Sequence, residues 1–440
     1  MERVTTNPIA IAGATTAQSL LPASGGLSRG VHRAFAPLAR RLAAAGLRQI
    51  ERGRLTVIDD GGSLRRMETA SPDVPMAATI HVHDPSAYSA LVLRGSVGVA
   101  ESYMRGEWDC DDLTALGRIA AAHPAFMDGL LGRTGAGVLN GLFRTAARLR
   151  RNTLAQSRRN VAAHYDLGND FFEFFLDPTL TYSCAVFERD GDTLEQAQIA
   201  KYDRICRKLD LRPGQQLLEI GTGWGGFAIH AARHYGCRVV TTTISRQQFA
   251  LARERVAAAG LSGSVAVLND DYRDIRGRFD RLVAIEMIEA VGAEFLETFF
   301  AACSGLLRPN GLMVLQAILT PEPGYAASLR SVDFLKRYVF PGGQLPSVGV
   351  LCASTARRTD LRLTHLEDLT PHYPTTLRHW HDAFTRNRTA IAAHGYPETL
   401  LRLWDLYLGW CEGYFLERAI GVAHLAFAKP LCRSGPVAGR

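Results

Sequence analysis

A run of glycines and two acids carry the first chemistry this chain offers. Gln216 to Phe227 reads QLLEIGTGWGGF, an apolar run that ends in Gly221, Gly223, Gly225 and Gly226 and leads into a helical pattern. Glycines at a strand-to-helix turn let the backbone approach a ligand closely. A dinucleotide site, or a plain turn, would read much the same. Two features favour S-adenosylmethionine: Glu219 lies two residues before the first glycine, and the glycine spacing is not that of a pyrophosphate turn. An acid there can receive the amino group of a sulfonium compound in a charge-assisted hydrogen bond. The second acid, Glu289, follows an apolar strand pattern, where an unpaired carboxylate is costly and therefore a candidate for chemistry.

These residues need a frame. Beyond Glu195 strand and helix patterns alternate: Gln215–Ile220, a helix to Tyr235, Cys237–Ile244, a helix to Ala259, Val265–Asn269, Phe279–Met287, a helix to Leu307 and Gly311–Leu319. That rhythm predicts an α/β fold with a doubly wound, Rossmann-like parallel sheet, and places the glycine turn and Glu289 at strand ends. Residues 321–359 interrupt it with helical pieces around PGGQLPS (341–347), an insertion of the kind that builds a substrate lid, before a strand at Asp360–Leu369 and C-terminal helices. Residues 1–30 read as a mobile tail, 31–126 as a small α+β domain, 127–157 as a basic linker and helix, and 158–440 as the catalytic domain.

Composition narrows the function classes. The 440 residues are 47% hydrophobic and 21% charged, as in an ordinary globular protein. Eight scattered cysteines without a CxxC pair argue against a zinc site or a disulfide framework, so no metal is expected and a reducing cytoplasm suits the chain. No apolar run is long enough to span a bilayer and no signal peptide is evident. The net charge of +7 belongs to residues 1–160, which hold 20 Arg, no Lys and 13 acids. Between Leu113 and Asn160, eight arginines face one acid, Asp128. Such a stripe suits a nucleic acid or an anionic bilayer, or is a solvated helix face.

Five separated segments decide among these readings: HYDLGNDFFEFFLDPTLTYSCAVF (164–187), EIGTGWGG (219–226), IEMIEAVG (285–292), YVFPGGQLPS (338–347) and PHYPTTLRHW (371–380). In this order they resemble the cyclopropane fatty acid synthase and mycolic acid methyltransferase family. VGVAESYMRGEWDCDDL (97–113) also looks like the small domain of the phospholipid-acting bacterial members. The resemblance implies an enzyme that adds one carbon from S-adenosylmethionine to the double bond of an unsaturated phospholipid acyl chain, forming a cyclopropane. An isolated alkene is a poor nucleophile and needs a cationic methyl donor; the carbocation that follows must be shielded from water and deprotonated. In this family the base is thought to be a bound bicarbonate. Carried over by position, its pocket comprises Cys184, Glu289, the backbone at Ile318, and Tyr373, with Glu289 accepting the bicarbonate proton and the Tyr373 hydroxyl and backbone N–H groups donating. The cofactor is assigned Tyr182, Ser183, the Gly221–Gly225 loop, Thr243, Gln248, Asp271 and Tyr272. The segment TTTIS (241–245) stands where many such enzymes carry a ribose-binding acid, so hydroxyl and amide groups substitute.

Two departures bear on the base. Many members have histidines where this chain has Ala290 and Gln316. Gln316 can donate to an anion but cannot carry charge or shuttle a proton, which puts the bicarbonate site or the fate of the cation in question. Some plant cyclopropane synthases and actinobacterial methyl-branching enzymes share these segments. Proton loss from the added methyl closes a ring, whereas loss from a neighbouring chain carbon gives an alkene or methylene for a partner oxidoreductase to saturate. A lipid-binding protein that has lost activity is the reading from another class. Taken singly, Cys184 reads as a small buried hydrophobe and Tyr373 as a capping aromatic. The partner implied is unsaturated phospholipid in an anionic membrane surface, met by a peripheral, cytoplasmic protein, with a homodimer by analogy. Nucleic acid recedes, because no base-reading module accompanies the arginines.

Overall fold

The computed structural model describes residues 29–48, 50–59, 62–66, 76–123 and 167–434. The tail 1–28, the basic segment 127–157, and His164 and Asp166 lie outside the described residues.

The N-terminal unit begins with α1 (Arg29–Leu47), followed by β1 (Arg54–Asp59), β2 (Gly62–Arg66), β3 (Ala77–Val82), α2 (Ser86–Met104), β4 (Trp108–Cys110) and α3 (Leu113–Ala122). Its sheet runs β2-β1-β3-β4, with β1 and β3 parallel. α3 starts where Asp112 caps the N–H of Ala115 at 2.7 Å, satisfying a donor that has no partner inside the helix.

The larger unit carries α4 (Asn169–Glu173), α5 (Leu194–Lys208), β5 (Gln216–Ile220), α6 (Gly226–Tyr235), β6 (Arg238–Thr242), α7 (Arg246–Ala258), β7 (Val265–Leu268), β8 (Phe279–Ile285), α8 (Leu296–Leu306) and β9 (Leu307–Leu319). Then come α9 (Glu322–Ser328), a π-helical turn (Leu335–Val339), α10 (Val348–Arg358), β10 (Arg362–Asp368), α11 (His372–Ala393), α12 (Glu398–Leu416) and β11 (Gly421–Ala428). The sheet order is β10-β11-β9-β8-β5-β6-β7, parallel except at β11, which runs against both neighbours. The α/β, doubly wound class read from the sequence is the one observed. The C-terminal region is corrected: Gly421–Ala428 is a strand inserted between β9 and β10, not more helix. Its apolar run GVAHLAFA lies buried on both sides, and such a run has no period to separate strand from helix.

The order reverses at β5, so a crevice opens at the carboxyl ends of β5 and β8, where the glycine turn and the IEMIEAVG segment emerge. α3 and α12 pack against each other. They touch through glycines: a Cβ on Gly413 would fall 2.5 Å from Arg118 N and 2.6 Å from Gly117 C. The 321–359 insertion is held to the N-terminal unit through Glu101, a buried carboxylate that receives the Tyr338 hydroxyl and pairs with Arg94 and, at 3.7 Å, Arg337. No described helix is long and apolar enough to cross a membrane.

Candidate active site

The crevice holds a cavity of about 190 Å³. One half of it is made of backbone. Gly221 (φ 99°) and Gly225 (φ 88°) adopt conformations that side chains resist, which bends the chain from β5 into α6. Gly226 has a different duty: a Cβ there would lie 2.5 Å from the Tyr202 hydroxyl and 2.8 Å from Thr179 O. Tyr182, Ser183, Glu219, Gly221, Gly223, Thr243, Gln248, Asp271 and Tyr272 all line the cavity, so the structure gathers the cofactor residues expected from sequence; Gly225, not itself in the lining, shapes the turn.

Their pairing adds detail. Glu219 is buried at the end of β5, accepts the Thr241 hydroxyl at 2.6 Å, and is pushed up to about 8 by desolvation. A cationic amino group brought into the cavity would favour its ionised form. Thr243 donates to Gln248 at 2.8 Å, so a hydroxyl and an amide occupy the place of a ribose-binding acid. Asp271 is already matched to Arg273, with two contacts of 2.7 Å, so its carboxylate serves the loop while Tyr272 packs edge-on against Phe299. Tyr182 donates to or accepts from the Tyr407 hydroxyl at 2.8 Å and packs on Trp380. The shape and polarity fit S-adenosylmethionine.

The other half of the crevice is built from side chains around Glu286, which itself lines the cavity and which sequence reasoning misses. Glu286 follows β8 with φ 47°, a left-handed conformation that a long side chain adopts only where its surroundings compel it. Its Oε1 accepts the Cys184 N–H at 2.9 Å and the Gln316 amide at 2.7 Å; its Oε2 accepts the Tyr373 hydroxyl at 2.6 Å. Burial raises its pKa, while Tyr373, Cys184, Gln316 and the nearby Lys201 work in the opposite direction. Glu289 lies one turn further on and accepts the Ile318 N–H at 2.6 Å. Desolvation and then the charge of Glu286 push Glu289 up to about 8. Among the described residues its Oε2 has no hydrogen-bond partner.

The expected bicarbonate pocket is therefore revised. Cys184 N, the Tyr373 hydroxyl, Gln316 and Ile318 N do converge, but they hold the chain's own carboxylates. A further anion would meet occupied donors and the Glu286 carboxylate, an arrangement that electrostatics disfavours. Bicarbonate does not fit the site as built. Cys184 contributes its backbone: its thiol is fully buried, held well above its usual pKa, and points to Ala185 O at 3.3 Å.

Other missed residues left signals in the sequence. Lys201 falls in line with Ala197 and Ile205 on the buried stripe of α5, where a lysine is out of place. It is completely buried, donates to Ser183 Oγ at 2.6 Å, and is brought down to about 8 by desolvation against the pull of Glu286 and the other acids. A histidine inside the apolar run of β11, His424, is another such signal. Glu286 stands three residues before Glu289 in one segment, and only the fold shows which of the two meets Cys184. Among the described residues no group of three or more His, Cys, Asp or Glu side chains is placed to hold a metal ion.

The sheet order and this crevice define an S-adenosylmethionine-dependent methyltransferase. The sequence model of the mycolic acid cyclopropane synthetase family matches residues 152–425, and the chain belongs to that family. It is 38% identical over 377 residues to the tuberculostearic acid methyltransferase of Mycobacterium tuberculosis, covering 82% of this chain and 85% of that one. It is 36% identical over 361 residues to the cyclopropane-fatty-acyl-phospholipid synthase of Escherichia coli, covering 80% and 88%. A solved mycolic acid cyclopropane synthase, complexed with SAH and CTAB, superposes with a TM-score of 0.58 at 35% identity, covering 62% of this chain and 98% of its own.

Proposed function

We propose that the protein adds one carbon from S-adenosylmethionine to the double bond of an unsaturated phospholipid acyl chain, closing a cyclopropane ring, with Glu286 rather than bicarbonate as the base. The observation that carries this is the Glu286 carboxylate seated on Cys184 N, Gln316 and Tyr373. Bound S-adenosylmethionine supplies a methyl group on a cationic sulfur. The backbone of the glycine turn forms the wall on the cofactor side; Tyr182 and Trp224 present aromatic rings that exclude water and tolerate positive charge, and Trp380 packs against Tyr182. As the alkene's electron pair forms the new carbon–carbon bond, the methyl–sulfur bond breaks, S-adenosylhomocysteine departs as a neutral thioether, and the other alkene carbon becomes cationic. Glu286 takes the proton, and when that proton leaves the added carbon the remaining electron pair closes the ring. The three donors on Glu286 favour its ionised form, while burial makes it more basic than a carboxylate in water.

A phospholipid substrate is supported by coverage. The match to the Escherichia coli synthase spans 80% of this chain, more than residues 152–425 can supply, so it reaches into the N-terminal unit. The mycolic acid enzyme of known structure covers only 62%. The arginines of 144–159 are proposed to meet anionic head groups from the cytoplasmic side of the membrane. A second reading, methylene formation with a partner oxidoreductase, is favoured by the similarity to the tuberculostearic acid methyltransferase over 82% of the chain.

The test incubates purified protein with methyl-13C-labelled S-adenosylmethionine and monounsaturated phospholipid vesicles, with and without bicarbonate, and analyses the released fatty acids by mass spectrometry and 13C-edited proton NMR. Label with upfield ring protons, independent of bicarbonate, is the expected result. Vinylic protons on the labelled carbon would replace the ring by the methylene reading. Bicarbonate dependence would remove Glu286 as the base, and no label would leave a lipid-binding protein.

A further inference from the structure

An amide beside a carboxylate can present either its N–H or its oxygen, so something must hold Gln316 the right way round. Gln316 on β9, His424 on β11 and Glu367 on β10 stand directly opposite one another across three adjacent strands. Facing residues of neighbouring strands share one side of the sheet. His424 Nε2 lies 2.8 Å from Gln316 Oε1, and His424 Nδ1 lies 2.8 Å from Lys208 Nζ at the end of α5. Gln316 and His424 are fully buried. Lys208 also pairs with Glu367, whose side chain is 30% exposed and is held by Arg204 at 2.9 Å.

The line has a direction. An ammonium group only donates, so Lys208 donates to His424 Nδ1. The ring then carries its one proton on Nε2, which donates to Gln316 Oε1. That bond turns the amide nitrogen toward Glu286 Oε1 at 2.7 Å and Cys184 O at 3.1 Å. A flipped amide would set oxygen against carboxylate at one end and N–H against N–H at the other. Burial, together with Lys208 and Lys201 and Arg204 on α5 and His365 on β10, keeps the imidazole neutral, with Glu367 at 3.8 Å the facing acid. An amide carries no proton, so the line orients and does not conduct.

We propose that His424 is a positioning residue for the transfer reaction: the one-way donation from Lys208 through His424 locks the Gln316 amide so that it keeps Glu286 ionised and aimed. This rests on Glu286 being the base. The test measures kcat/KM against pH on vesicles of monounsaturated phosphatidylglycerol. His424→Leu removes the donor, and the acid limb moves to higher pH by roughly half a unit to one unit, while cofactor affinity stays within about twofold. His424→Gln, whose amide donates from a similar place, returns the limb to within about 0.3 unit of wild type. Lys208→Met frees the ring to take the other tautomer and shifts the limb the same way, which keeps the inference testable if His424→Leu does not fold.

A folded His424→Leu or Lys208→Met whose limb coincides with wild type, or whose rate falls equally at every pH, overturns the proposal. Glu286→Gln tells the two failures apart. If it retains turnover, the base assignment is wrong and the positioning role falls with it. If it abolishes turnover while His424→Leu leaves the limb unmoved, only the positioning role is wrong.

Discussion

The two halves of the crevice are made in different ways. The cofactor half comes from four short segments, 180–183, 219–226, 242–248 and 270–273, the last three each at the end of one strand, and much of its shape is backbone bent by glycine. The base half draws Cys184, Glu286, Gln316 and Tyr373 from four separate parts of the chain, then His424 from a fifth, and holds them by side-chain hydrogen bonds in a dry interior. Local geometry survives in a motif. A polar network exists only once distant strands have paired, and in a low-dielectric interior each member depends on the others being satisfied.

The separation can be attacked from both sides. Glu286→Gln keeps the size but replaces one accepting oxygen by an amide donor and removes the base, so turnover should fall by about 10²- to 10⁴-fold. Calorimetric titration should find cofactor affinity nearly unchanged; a parallel loss of affinity would mean that the halves are not separate. Gly226→Ala should do the reverse. The added carbon would meet Tyr202 and the backbone oxygen of Thr179, so thermal unfolding should show a loss of about 1–3 kcal/mol. Cofactor KM should rise by roughly tenfold with kcat little changed, as befits lost ground-state binding. A wild-type KM would show that the turn tolerates more than its geometry implies.

Tyr373→Phe gives the smallest and most specific effect. Its hydroxyl stabilises the ionised form of Glu286, so its loss raises the Glu286 pKa. Since the base works only when ionised, the acid limb of the rate profile should move to higher pH, by about one unit, with the rate recovering above it. A limb that moved to lower pH, or did not move, would place Tyr373 on some other group.

Within the base half, the sequence points to the neighbourhood more reliably than to the actor. The IEMIEAVG segment advertises acids at a strand end, yet Glu289, the acid the resemblance names, accepts only the Ile318 N–H among described groups, while Glu286 receives three donors. Spacing cannot choose between them, because the choice depends on a left-handed residue at 286 that turns its side chain toward Cys184 and α11. Gln316 reads in isolation as the loss of a charged group. Its use appears only beside His424, which β11 brings opposite it by running antiparallel into the sheet.

By itself the sequence determined the alternation that winds the sheet and the glycine turn after β5, because period and backbone permissiveness are properties of neighbouring residues; the other residues expected at the cofactor, Glu219 apart, came from the family resemblance. Which carboxylate the donors serve, which way the Gln316 amide faces, and how the insertion is tied to Glu101 were decided by tertiary structure. Those are relations between groups far apart in the chain, fixed only when burial makes every unpaired polar atom costly.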